Sequence, residues 1–215
     1  TNRPAYGEEI LEVWKRRKPW YEICSSNFFF MPHCSNDEEL TRLKNTMSSF
    51  VSEIIGNPAE IPTKRSYFVC LTYPDLKASD ALENITKITT GCDAVELRVD
   101  LLKSYELGFV AEQIGLLRNH TAVPIIFTVR TKSQGGAFPD DDFDTIADLT
   151  SLAFKMGVAY VDMELSLPEG LFATLISKRG FTKVIGSHHD FSGVFKWDNA
   201  EWENKYQFAV SSKVD

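Results

Sequence analysis

Several apolar runs of this chain end on residues that can do acid–base or ion-pairing chemistry. Glu96 and Arg98 stand two apart in the run 94–99, Arg130 closes 124–130, Glu164 closes 159–164, and His188 and His189 follow 182–187. A histidine held half out of water at a strand end is placed to move protons near neutral pH. Two arginines around one mouth favour an anionic substrate, with a carboxylate gripped in bidentate fashion. Residues two apart on a strand share a face, so Glu96 and Arg98 point the same way. Buried there, they need each other or a ligand. The bland reading is an internal salt-bridge network, which weighs more on Glu96 and Glu164 than on Arg130. Adjacent strand residues face opposite sides, so only one of the two histidines reaches a site. The alternation Ile185, Ser187, His189 favours His189. His33 and His120 sit in loop-like contexts and read as surface residues. After Arg130 comes Thr131-Lys132-Ser133-Gln134-Gly135-Gly136, whose glycines allow a flexible loop with close backbone approach to a ligand.

These ends need elements to hold them. From residue 66 the pattern is regular: apolar strands at 67–72, 94–99, 124–130, 159–164 and 182–187 alternate with helices at 78–89, 107–118, 143–156, 170–177 and 199–210. Such alternation means parallel strands with right-handed crossovers. A doubly wound nucleotide-binding sheet would want a glycine-rich turn after its first strand. Here that turn is Tyr73-Pro74-Asp75-Leu76, and Gly135-Gly136 lacks the GxGxxG spacing. A barrel predicts functional side chains at the C-terminal ends of several strands. The expected fold class is therefore α/β, a (β/α)8 TIM-barrel type that is incomplete. About five βα units fit before Asp215, and a sixth strand begins near Val214.

Residues 1–57 read differently. A helix over 8–17, with Ile10, Leu11, Val13 and Trp14 on one face, is stopped by Pro19. Phe28-Phe29-Phe30 reads as a short strand. Asn36 with Glu39 resembles an N-cap and capping box. The helix they start would carry Leu40, Leu43, Met47, Phe50, Val51, Ile54 and Ile55 on one side. This piece cannot build a core alone and reads as the tail of a neighbouring domain. Residues 58–65, with two prolines, read as a linker to a barrel over 66–215.

Hydrophobic content of 43% and charged content of 25% suit a soluble globular protein. The net charge is −7 with no basic block, which argues against nucleic acid as a partner. No apolar run approaches the roughly 20 residues of a membrane helix. Cys24, Cys34, Cys70 and Cys92 form no CxxC pair and no zinc spacing, so reduced cytoplasmic thiols and no metal are expected. The N-terminus has no signal-peptide pattern and no initiator Met, so Thr1 is expected to open a piece of something longer.

Four ordered motifs then resemble type I 3-dehydroquinate dehydratase. They are Gly-Cys-Asp-Ala-Val-Glu-Leu-Arg-Val-Asp (91–100), Ile-Phe-Thr-Val-Arg-Thr-Lys-Ser-Gln-Gly-Gly (126–136), Ala-Tyr-Val-Asp-Met-Glu (159–164) and Ser-His-His-Asp (187–190). The spelling is similar to the fungal form, a domain of the pentafunctional AROM polypeptide. Residues 3–8 and 13–25 resemble the C-terminal end of the shikimate kinase domain that precedes it there. Residues 1–57 are then expected to be a kinase remnant, with Arg3 similar to the arginine that holds shikimate. The ATP and Mg of that kinase belong to parts outside this chain.

The resemblance implies conversion of 3-dehydroquinate to 3-dehydroshikimate and water, without metal or organic cofactor. A lysine forms an imine with the ketone, and a histidine removes the adjacent proton and helps water leave. By position His189 takes the histidine role, and Glu96, Arg98, Arg130 and Gln134 take substrate-holding roles. Cys70, where relatives often have Ser, and Phe191 are weaker matches. The imine lysine belongs to a sixth-strand sequence that this chain does not reach. Lys213, in a Ser-Ser-Lys turn, is not assigned that role. Residues 1–215 alone are therefore expected to be inactive. Expected partners are a small carboxylate substrate, the other AROM domains in cis and a second copy of the chain as a homodimer, with no nucleic acid and no membrane. The alternative is a non-enzymatic homologue, like the quinate-pathway repressors, that senses a metabolite.

Overall fold

In a computed structural model the described residues are 9–56, 66–78, 80–194, 196 and 198–215. Arg3 and the linker at 58–65 lie outside them. Five parallel strands form one sheet in the order β1-β2-β3-β4-β5: Phe68–Leu71, Ala94–Arg98, Ile125–Thr128, Tyr160–Glu164 and Lys183–Ser187. Each is followed by a helix: α3 (Ala81–Ile88), α4 (Leu107–His120), α5 (Phe143–Lys155), α6 (Glu169–Ile176) and α7 (Ala200–Ser211). A doubly wound sheet reverses its strand order at a switch point. Strictly sequential order is instead that of a TIM-type barrel wall, as the strand ends predicted.

The strands are short but sharply two-faced. Val95, Leu97, Phe127, Val161, Met163 and Val184 pack with Ile85, Ile114, Leu117, Leu149, Phe172 and Leu175 in one continuous core. The alternate residues face the other way. On that inner face Phe68 and Cys70 are exposed, Glu96 and Glu164 are buried, and Asp162 is part-buried. In register, Cys70 sits beside Glu96, Glu96 beside Ile126, Arg98 beside Thr128, Thr128 beside Asp162, and Glu164 beside Ser187.

The N-terminal segment departs from expectation in three places. First, α1 runs over Ile10–Cys24 with Pro19 inside it, so the proline does not end the helix. Proline removes one donor but its fixed φ is close to helical, which lets a solvated helix continue at a cost. None of the residues of α1 is buried. Second, residues 28–30 form no strand; the Phe28 N–H donates to the Lys155 carbonyl at 3.0 Å instead. Their role is packing: Phe29 meets Phe50 at 5.2 Å between ring centroids, and Phe30 lies over Gly115. Third, α2 (Asp37–Ile54) buries only Leu43 and Phe50 of its apolar stripe, leaving Leu40, Met47, Val51 and Ile55 exposed. Asn36 caps it as read, accepting from the Glu39 N–H at 2.9 Å, but the return bond of a capping box goes one residue early, Glu39 taking the Ser35 N–H at 2.6 Å instead of the cap residue's own.

One smaller reading also changes. His120 belongs to the last turn of α4, where Nδ1 lies 2.8 Å from the Leu116 carbonyl. On α7, Phe208 packs edge-on to Phe172 and Trp202 edge-on to His188, while Tyr206 is exposed.

Gly115 reports on this docking. A Cβ there would come within 2.4 Å of the Phe30 ring. Ala normally stabilises a helix interior by about 0.5–1 kcal/mol over Gly. Gly115→Ala should therefore lower stability in the native background yet raise it in a Phe30→Ala background. Paired thermal melts of the four variants read the sign reversal directly.

Candidate active site

The charged groups gather at the C-terminal ends of β2, β3 and β4, because every second residue there faces inward. Glu96 accepts from the Thr128 hydroxyl at 2.7 Å. Arg98 does not pair with Glu96; its Nε and Nη2 donate to Asp100 at 2.8 and 2.7 Å. Arg130 is the hub. Its Nη2 donates to Asp162 at 2.7 Å, and its Nη1 donates to Ser187 Oγ at 2.8 Å and to Glu164 at 3.2 Å. Glu164 also accepts the Thr131 N–H at 2.9 Å and the Thr131 hydroxyl at 2.6 Å. Ser187 donates onward to Asp162. The salt-bridge network therefore centres on Arg130, the residue the spacing made least suspect of it. A buried guanidinium between two carboxylates carries its own counter-charge.

The loop after Arg130 is held tightly. Gly135 adopts φ 82°, and a Cβ there would overlap the Phe191 ring at 2.4 Å. At Gly136 a Cβ would lie 2.0 Å from the Arg130 carbonyl oxygen. The glycine pair thus serves close approach to the protein's own backbone and ring, in a loop pinned by Gly136 N–H to Thr131 O at 2.7 Å and Lys132 N–H to Phe138 O at 2.9 Å. That tight loop buries Gln134, whose Oε1 accepts the backbone N–H of His189 at 2.6 Å.

His189 thereby hangs over the mouth. Its ring stacks nearly parallel on Phe191, 6.4 Å between centroids and 10° between planes, with Phe191 otherwise exposed. Burial, and next the Arg130 guanidinium, push its pKa below the ordinary 6.5; Asp162, Glu164 and Glu96 pull it back without reversing the shift. His189 is therefore a neutral base at neutral pH. His188 faces away, edge-on to Trp202 at 5.5 Å between centroids. Cys70 opens onto the mouth from β1, its thiol pushed up to about 11 by burial and then by Glu96. Lys213 sits in the turn after α7 with φ 59°.

The structure brings Glu96, Arg98, Arg130, Gln134 and His189 to one end of the sheet, with Cys70 and Phe191 at its margin. Sequence reasoning passed over Asp100, Thr128, Asp162 and Ser187. The parity that placed Arg98 and Glu164 would have placed Asp100 and Asp162 beside them. The 560 Å³ cavity lies at the other end of the strands, lined by Phe68, Ala94, Ile126, Tyr160 and Ile185. It carries no part of the network.

A sequential parallel sheet with acid–base and cationic groups at its C-terminal ends defines a TIM-barrel type enzyme site. The type I 3-dehydroquinase family matches residues 67–215, and the chain belongs to that family. The pentafunctional AROM polypeptide of Komagataella phaffii is 58% identical over 214 residues, covering 99% of this chain and 14% of that protein. One from Saccharomyces cerevisiae is 51% identical over 216 residues, again spanning 14% of the relative's length. The solved dehydroquinate dehydratase and shikimate dehydrogenase from S. pombe AroM superposes with a TM-score of 0.67 at 44% identity, covering 70% of this chain and 30% of that one. A type I 3-dehydroquinate dehydratase from Clostridium difficile shares the fold at a TM-score of 0.62 and 22% identity, covering 69% of this chain and 60% of that one.

Removing Glu164's charge leaves Arg130 buried with one carboxylate fewer. Glu164→Gln should cost about 3 kcal/mol in chemical denaturation at neutral pH. Glu169→Gln, at the start of α6, should stay within about 0.5 kcal/mol.

Proposed function

We propose that this chain supplies the proton-transfer and substrate-holding side of a type I 3-dehydroquinate dehydratase within a multidomain polypeptide. The observation that carries it is His189, whose backbone is latched by Gln134 and whose neutral imidazole lies near Arg130, Asp162, Glu164 and Glu96. The substrate is 3-dehydroquinate, a small hydroxylated keto acid, and the product is 3-dehydroshikimate with loss of water.

An amine condenses with the ketone, releasing water, and the resulting imine draws electrons from the neighbouring carbon. His189 takes the proton from that carbon. The electron pair forms the new C=C bond as the adjacent C–O bond breaks, and the proton held on His189 goes to the departing hydroxyl, so water leaves. Hydrolysis of the imine frees the amine. Arg98, Arg130 and Glu96 orient the carboxylate and hydroxyls, and Cys70 and Phe191 border the ring. This chemistry calls for neither a metal nor an organic cofactor.

Residues 1–57 fit the remnant of a shikimate kinase-like domain, since the AROM relatives match the whole chain while the dehydroquinase family begins at residue 67. The four free thiols support a reducing, cytoplasmic setting. No observation favours the metabolite-sensing alternative, which has no use for a neutral base at the mouth of the sheet.

Borohydride reduction in the presence of 3-dehydroquinate, read by intact mass, tests this. The full-length polypeptide that carries this chain should trap an adduct. In that polypeptide His189→Asn should lower kcat about 10²–10⁴-fold. A His189→Asn variant with unchanged kcat would end the proposal.

A further inference from the structure

Asp100 stands just past the end of β2, in the short 3-10 turn Val99–Leu101, and the reaction scheme above makes no use of it. Its carboxylate is fully buried, yet every contact is defined. Arg98 Nε donates to Oδ1 at 2.8 Å and Arg98 Nη2 to Oδ2 at 2.7 Å, a fork-to-fork pair. The Ala137 N–H donates to Oδ2 at 3.0 Å and the Arg130 N–H to Oδ1 at 3.4 Å. Those two amides are the two ends of the loop that buries Gln134. The Tyr105 hydroxyl donates to the Asp100 carbonyl at 2.9 Å, fixing the turn as well. The Arg98 side chain, in contrast, keeps 18% of its surface open at the mouth while Asp100 keeps none. Pairing with Asp100 is the largest influence on Arg98 and raises its pKa further. Arg98 is therefore a cation whose plane is set from behind by a carboxylate that solvent cannot reach.

We propose that Asp100 is a positioning residue: anchored by the Ala137 and Arg130 amides, it fixes the plane of the Arg98 guanidinium so that its open edge meets the substrate. It touches no substrate atom and moves no proton. This rests on the dehydratase reading and adds a residue to it. A carboxylate that only held the turn together would lower stability without acting through Arg98. One that positions Arg98 acts mainly on KM, because the hydrogen bond from the His189 N–H to Gln134 does not itself involve Asp100.

The test uses the full-length polypeptide that carries this chain, with 3-dehydroquinate as substrate at neutral pH. Four proteins are compared: unmodified, Asp100→Asn, Arg98→Met and the double variant. Asp100→Asn should raise KM at least 10-fold with kcat within about 3-fold. On top of Arg98→Met it should add less than 2-fold, since a residue that acts through Arg98 has nothing left to act on. Arg98→Lys keeps the charge but has no fork, so it should raise KM as much as Asp100→Asn does, and it tests the idea even where Asp100→Asn fails to fold. An unmodified protein that converts substrate, with KM moved less than 2-fold by Asp100→Asn or Arg98→Lys, would overturn the role of Asp100 alone. Multiplying KM effects in the double variant would do the same. An unmodified protein that does not convert 3-dehydroquinate would overturn the dehydratase reading and this inference together.

Discussion

The mouth of the sheet depends on one constraint: charges taken out of water need partners. Arg130 is 7% exposed and lies between Asp162 and Glu164, at 10% and 3%. Together these side chains tie β3 to β4, and Ser187 extends the bonding to β5. Removing one partner from such a set is far more damaging than the modest net gain from forming it, because the survivor stays buried. The network is thus a registration device as much as an electrostatic one. It brings the ends of three strands to a common level, and His189 hangs from that level.

The same arrangement governs the histidine. Partial loss of hydration and the nearby guanidinium disfavour protonation of the His189 imidazole, which otherwise stays open to solvent, and three nearby carboxylates soften that effect without cancelling it. Moving a proton off carbon requires a base that is neutral when substrate arrives. Gln134 contributes by geometry, holding the His189 backbone rather than its ring. The glycine pair beside it is needed because no side chain fits at Gly135 against the Phe191 ring or at Gly136 against the Arg130 carbonyl. Pairing within the protein thus leaves the two arginines unequal: Arg130 is engaged on two carboxylates, whereas Arg98 is held on one and remains partly open.

Much of this was legible in the sequence, for one physical reason. Side chains alternate along a strand, so Glu96 and Arg98, then Arg130, Glu164 and His189, could be assigned to one face and one end without coordinates. The sequential strand order followed from the absence of a glycine-rich first turn. What escaped has equally definite causes. Asp100 and Asp162 share the parity of their neighbours but lie next to more conspicuous residues. The engagement of Arg130 depends on which carboxylates neighbouring strands bring beside it, and that register is a tertiary fact. Pro19 reads as a stop in the sequence, though a helix free of packing can carry a proline. Phe28-Phe29-Phe30 has strand composition, but its partners are Gly115 and Phe50 instead of another strand. Apolar β-rich triplets do not reveal whether they pair or merely pack.

A histidine with a lowered pKa takes up its proton more readily in the unfolded chain. Its contribution to stability is therefore present above pH 6.5 and lost as the pH falls toward the folded value. The central claim is that burial and Arg130 keep His189 neutral. An NMR titration of its imidazole, assigned by comparison with His189→Asn, measures that directly. The account predicts a midpoint below 6.5 that moves upward in Arg130→Met. A midpoint at or above 6.5, or one unmoved by losing the guanidinium, would contradict it.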